Sequence, residues 1–394
     1  MRAPRARAVT KVALVLACLV ALGGCSTVKG WFSSSKSKNA MPSPLTEFAA
    51  TAKVDRLWAA KLGGGDGVLA FGQGPAIADG RVYAAALGGG VSAYDLHTGA
   101  SVWQQPSELK LSSGPGVGDG LVVVGSLEGD VVALDAATGA QKWTAKVGTE
   151  VLAAPAIGQG LVIVRSIDGR VSAFDEASGE RRWFWDKETP TLAVRGNAGP
   201  VLAPGFAFIG NDDGSLSALS LAAGRQLWQQ IVGSAEGRTE LDRMADIDGT
   251  PALDGTTIYA SSYKKQTMAI DGPSGRPIWL HDAGGAGSVG VSPGLVVVSD
   301  PQGIVWGLNK SDGSAMWQQP ALERRNLSGV AVQGDYAVVG DYDGYLHWLR
   351  LSDGAIAARS RPGKDMIRAA PVVADGILVV QDTGGEISAW RVSP

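Results

Sequence analysis

Beyond Phe48 the chain is a succession of short apolar runs, each closed by a glycine-containing turn. In the stretch Pro75 to Gln104, four such runs are separated by Asp79-Gly80, Gly88-Gly89 and Thr98-Gly99. Glycine accepts the positive φ of tight hairpin turns, so this punctuation predicts four short antiparallel strands. They cover Pro75 to Ala78, Arg81 to Leu87, Val91 to Asp95, and Ala100 to Gln104. No stretch carries a helical period.

The same unit is written again from Pro115 to Trp143 and from Pro155 to Trp183. Its closing tryptophans form a ladder: Trp103, Trp143, Trp183, Trp228, Trp279 and Trp317. A glycine stands four residues before each, and Gly354 continues the series with Ala358 in the tryptophan place. A period near 40 residues with four strands per unit predicts a propeller. The third strands end at Asp95, Asp135, Asp175, Ser220, Asp271, Asn309, Arg350 and Trp390, which makes eight blades. The last copy stops at Pro394 before a fourth strand, whereas Val54 to Leu62 carries Trp58 in the fourth-strand pattern. The fold expected is therefore all-β: an eight-bladed β-propeller over 53–394, four antiparallel strands per blade, closed by an N-terminal strand. Closure removes the free edge that an open ring would leave.

The N-terminus adds a destination. Arg2, Arg5, Arg7 and Lys11 precede the apolar run Val12 to Leu22, which has the length of a signal-peptide core and is short for a membrane span. It ends in Leu22-Gly23-Gly24-Cys25, which resembles the lipobox of bacterial lipoproteins. That resemblance implies a signal peptide over 1–24 and a diacylglyceryl group on Cys25. Ser26, where inner-membrane lipoproteins often carry Asp, implies the outer membrane, periplasmic face. The Ser-, Lys- and Pro-rich segment that follows, to Ala52, reads as a flexible tether.

Composition narrows the chemistry. Cys18 leaves with the signal and Cys25 is acylated, so the mature chain has no thiol for a disulfide or a metal. It keeps 31 basic against 38 acidic residues, a net charge near −7, which argues against nucleic acid and against direct adhesion to anionic lipid. His97, His281 and His347 stand in separate repeats without a carboxylate pattern around them. Gly285, Gly287 and Gly290 spell Gly-x-Gly-x-x-Gly, but they lead into a strand rather than a helix. The expectation is a protein that is not an enzyme and needs no cofactor or metal.

The repeat is uneven in one place. From closing tryptophan to the next blade's proline the spacing is 12 residues after Trp103 and Trp143, 17 after Trp183 and 23 after Trp228. Two neighbouring long loops should build a raised patch beside blade four, and long loops on a rigid scaffold often carry function. The first holds Leu192, Val194 and Arg195, apolar residues beside an arginine as at a protein-binding hot spot. The second holds Asp246 and Asp248, which share a side if extended. A calcium site and a salt bridge to Arg195 are both open for these acids, although the rest of an EF-hand loop is missing.

The blade pattern, best displayed from Ala133 to Trp143, resembles the quinoprotein-like repeat. Lipobox, tether, eight such blades and the two loops together resemble the BamB family of the outer-membrane β-barrel assembly machinery. In that family an apolar-x-apolar-Arg loop and an Asp-x-Asp loop engage the periplasmic POTRA domains of BamA. The resemblance implies a scaffold lipoprotein that assists folding and insertion of outer-membrane β-barrel proteins. Its partners would be BamA, the other components of the complex, and the nascent barrel proteins. The matching contact positions are Leu192, Val194, Arg195, Asp246 and Asp248, with Val194 where the family often has Leu. The alternatives are a quinone-dependent periplasmic dehydrogenase and a ligand-binding propeller.

Overall fold

The computed structural model describes residues 41–63, 73–194, 196 and 198–393. Eight four-stranded antiparallel sheets follow one another along the chain. Blade one comprises Ala76–Ala78, Arg81–Ala86, Gly90–Asp95 and Ser101–Gln105, close to the strands expected. Blade eight is completed from the other end of the chain. Lys53–Lys61 pairs antiparallel with Glu386–Ser393, in a register that sets Trp58 opposite Ala389, with a bulge between Arg56 and Trp58.

The tryptophan ladder is the seam between blades. Trp58 donates its indole N–H to the Leu96 carbonyl at 2.8 Å, and Trp103, Trp143, Trp183, Trp228, Trp279 and Trp317 repeat this toward the following blade. Each ring also lies flat on the next blade's turn glycine. At Gly99, whose φ is +71°, a Cβ would sit 2.5 Å from the Trp58 ring. This is why tryptophan and turn glycine recur together: the ring of one unit needs the missing side chain of the next. The aspartate before each turn is equally explained. Asp95 accepts the Thr98 N–H at 2.8 Å and the Thr98 hydroxyl at 2.7 Å, and Asp135 with Thr138 does the same.

The seventh seam is built differently. With Ala358 in the tryptophan place, Trp348 and Trp390 fill the space, their ring centroids 6.2 Å apart. Buried Gln333 accepts from the Trp348 indole at 2.8 Å and donates to the Trp390 carbonyl at 3.0 Å. The first strands are three residues or fewer and surround a central funnel of about 910 Å³. Small residues let them converge: a Cβ at Gly116 would meet the Pro155 carbonyl at 1.9 Å.

The sequence reading carried the tether to Ala52, but the structure holds 43–52 against blade seven. Ser43 N–H donates to the Glu323 carbonyl, and Thr51 N–H to Ala357 at 2.9 Å. Arg325 and Arg359 donate to the carbonyls of Ser43 and Thr46. Backbone and arginine contacts fasten a segment whose Pro, Thr and Ala content reads as coil. Cys25 lies outside the described residues.

Candidate functional site

Both long loops emerge on the face that carries the second hairpin turn of each blade. The loop between blades four and five contains a helical turn that the sequence reading does not predict, Glu240–Arg243. Its start is a reciprocal cap: Thr239 accepts from Asp242 N–H while the Asp242 carboxylate accepts from Thr239 N–H. Leu241 on this turn is 70% exposed. Lys264 donates to the carbonyls of Glu236 and Asp242. The irregular turn Tyr263-Lys264-Lys265-Gln266 in blade five is thus the clamp for its neighbour's long loop.

The loop between blades three and four lies against the same structure from the other side. Leu192 is 40% exposed, whereas Val194 is half-buried on the wall of the central funnel. Val194 N–H donates to Asp246 Oδ1 at 2.8 Å, so the two loops are joined directly. Arg195 lies outside the described residues.

Asp246 and Asp248 do share a side, but it faces inward. Asp246 is fully buried. Its carboxylate, that of Asp248 and that of Asp212 bring one oxygen each within 4.8 Å of one another. Asp212 comes from the second hairpin turn of blade four and takes Arg165 Nη2 on Oδ1 at 2.5 Å. Among the described residues, Asp246 Oδ2 and both oxygens of Asp248 are buried without a hydrogen-bond donor, and Arg165 Nε and Nη1 are buried without an acceptor. Burial pushes the Asp246 carboxyl up to about 6, against the pull of the Val194 N–H. Burial, then the Asp246 and Asp212 charges, raise Asp248 well above the ordinary carboxylate range. These three carboxylates can hold protons or a hard metal ion, and Asp246 positions the Val194 backbone.

Arg165 and Asp212 escaped the sequence reading, though one signal existed. Arg165 ends the second strand of blade three, where blades two, four and seven have Gly125, Gly210 and Gly340. An arginine in a glycine place requires a buried anion nearby.

A second buried charged cluster sits in blade seven and corrects the reading of His347. Its ring is fully buried, with Nε2 3.0 Å from Asp341 Oδ2 and Nδ1 accepting from Arg359 Nε at 3.1 Å. Arg325 donates to Asp341 Oδ2 at 2.7 Å and to Asp343 at 2.8 Å. Asp341 Oδ1 accepts the N–H groups of Asp343 and Tyr345. The six-residue spacing from Asp341 to His347 spans a hairpin, so facing strands bring together what the sequence separates. His97, by contrast, lies exposed in its turn, 3.8 Å from Asp375.

Residues 87–319 and 311–393 match the family described as outer membrane protein assembly factor BamB. A relative of that description from Xanthomonas campestris is 58% identical over 396 residues, 97% of this chain and 98% of the relative. The crystal structure of BamB from Moraxella catarrhalis superposes with a TM-score of 0.78 at 28% identity, covering 86% of this chain and all of that one. A quinohemoprotein alcohol dehydrogenase from Comamonas testosteroni reaches 0.67 at 16% identity, over 86% of this chain and 76% of its own, a likeness of fold alone.

Proposed function

The chain belongs to the BamB family of outer-membrane protein assembly factors, and on that premise we propose that it is a lipid-anchored scaffold docking on the POTRA domains of BamA. The observation that carries this reading is the junction of the two long loops. Asp246, buried, holds the Val194 N–H, and the segment so fixed presents Leu192 to solvent. Leu192 and Arg195 make the contact, Val194 borders it, and Asp246 with Asp248 shapes the loop from beneath. A single exposed apolar anchor on a loop tied down at the Val194 N–H suits a modest docking surface, because less chain entropy is lost on binding. Cys25 attaches the molecule to the inner leaflet of the outer membrane, and the ring performs no catalysis.

Co-purification from detergent-solubilised envelopes tests the site. Leu192→Glu and Arg195→Glu are each expected to reduce recovery of BamA at least tenfold, while circular dichroism stays that of the β-rich ring. Unchanged recovery with both variants would overturn the assignment. Cys25→Ser is expected to move the chain from the membrane to the soluble periplasmic fraction.

A further inference from the structure

We propose that Asp212, Asp246 and Asp248 form a binding site for one hard divalent cation, calcium foremost, beneath the loop that carries Leu192 and Val194. The three carboxylates come from two places in the fold, a hairpin turn of blade four and the loop between blades four and five. Proximity alone would not make a site. The further observation is the state of the oxygens: Asp246 Oδ2 and both Asp248 oxygens are buried and meet no donor among the described residues. A buried carboxylate without a partner is costly, and natural structures avoid it or fill it.

Charge identifies what fits. Among the described residues, three carboxylates stand against the guanidinium of Arg165 and leave two negative charges, which one divalent cation balances. Arg165 is already committed to Asp212 Oδ1, so the remaining oxygens are those free to ligate. An all-oxygen set excludes the soft metals and suits calcium, magnesium or manganese. Three carboxylates leave coordination positions for water, and Asp248 lines the central funnel, which gives both an entry path and the water. Calcium tolerates such an open, irregular set better than magnesium, which demands a near-ideal octahedron.

The site would act on the loop above it. Asp246 Oδ1 holds the Val194 N–H, so a cation on Oδ2 fixes the carboxylate that fixes the loop. Gly196 passes close over Asp248, where a Cβ would meet Oδ1 at 3.2 Å. Only this last step, a cation that stiffens the docking loop, rests on the function proposed above.

Calcium titrated alone into the full mature chain in detergent, after chelator treatment, tests the proposal. Calorimetry should report one saturable site, and Tm should rise by about 5 °C at saturating calcium. Asp248→Asn and Asp212→Asn should each weaken binding at least tenfold and abolish the rise in Tm. Asp55→Asn, at an exposed carboxylate on the closing strand, should leave both unchanged. No heat and no change of Tm in the wild type would overturn the proposal, as would binding that survives Asp248→Asn. Because the readout needs no partner, its failure leaves the docking on BamA standing, and failure of docking leaves the cation site standing.

Discussion

Blade four and blade seven each bury a charged cluster on the same repeat framework, and they solve the problem in opposite ways. In blade seven every oxygen of Asp341 is occupied, by Arg325, His347 and two backbone N–H groups. Burial pushes its carboxyl up, but the His347 contact and Arg325 outweigh that and hold it below the usual range. Beside blade four, Asp246 and Asp248 have burial without enough partners, and both are raised. A satisfied network fixes structure, and an unsatisfied one waits for a ligand. The cluster whose carboxylate is fully occupied holds the chain segment 43–52 in place, although Arg359 Nη2 is left without an acceptor among the described residues, and the cluster beside blade four lies under the exposed loop.

The sharpest test of this contrast is Arg325→Met. It leaves the buried Asp341 with His347 and two backbone N–H groups but without its guanidinium, releases the Ser43 carbonyl, and should cost about 3–5 kcal/mol in urea unfolding. A loss below about 1 kcal/mol would mean the cluster is not held by its ion pairs. The next effect is in the pH dependence. Asp246 binds its proton more tightly when folded, so its contribution is full below the unfolded value near 3.8 and lost as pH rises through about 6, up to about 3 kcal/mol in all. In calcium-free buffer, Asp246→Asn should remove this decline between about pH 4 and 6. His347 has the opposite sign. Burial lowers its pKa, so its contribution is present at neutral pH and lost as pH falls below about 6.5. Equal slopes in Asp246→Asn and wild type would erase the difference between the clusters.

Asp248→Asn should stabilise the calcium-free protein by about 1–3 kcal/mol, because it removes a buried charge without a partner. A destabilised variant would mean that Asp248 is well paired. The smallest effect expected is for Phe48→Ala. Arg359 lies over that ring at 5.0 Å, and its loss should cost about 0.5–1 kcal/mol. Faster hydrogen exchange confined to 43–52 would accompany it, and a global change would contradict a local strap.

The repeat was open to reading because each of its signals is a contact with an adjacent unit. Trp58 with Gly99, or Asp95 with Thr98, recurs in sequence since every blade meets its neighbour in the same way. The closing strand was readable for the same reason, through Trp58. The buried clusters were not, because they assemble from segments with no common period. Arg165, Asp212 and Asp246 stand in three different elements, and only the Gly125-to-Arg165 exchange marked the place. The segment 43–52 is hard to read for another reason: it is held largely through its own backbone carbonyls, which accept from Arg325 and Arg359 and leave no trace in its side-chain composition.

The pairing of Lys53–Lys61 with Glu386–Ser393 also sets a timetable. The segment that seals the ring is made among the first and must wait, unpaired, for a partner made last. Contacts so distant along the chain form slowly, since the entropy of closing the largest loop precedes any reward. Blades one to seven can form in order of synthesis, each on its predecessor. The eighth cannot exist until the C-terminus has arrived, so any truncation that removes Glu386–Ser393 leaves Trp58 without its sheet and the first blade without its seal.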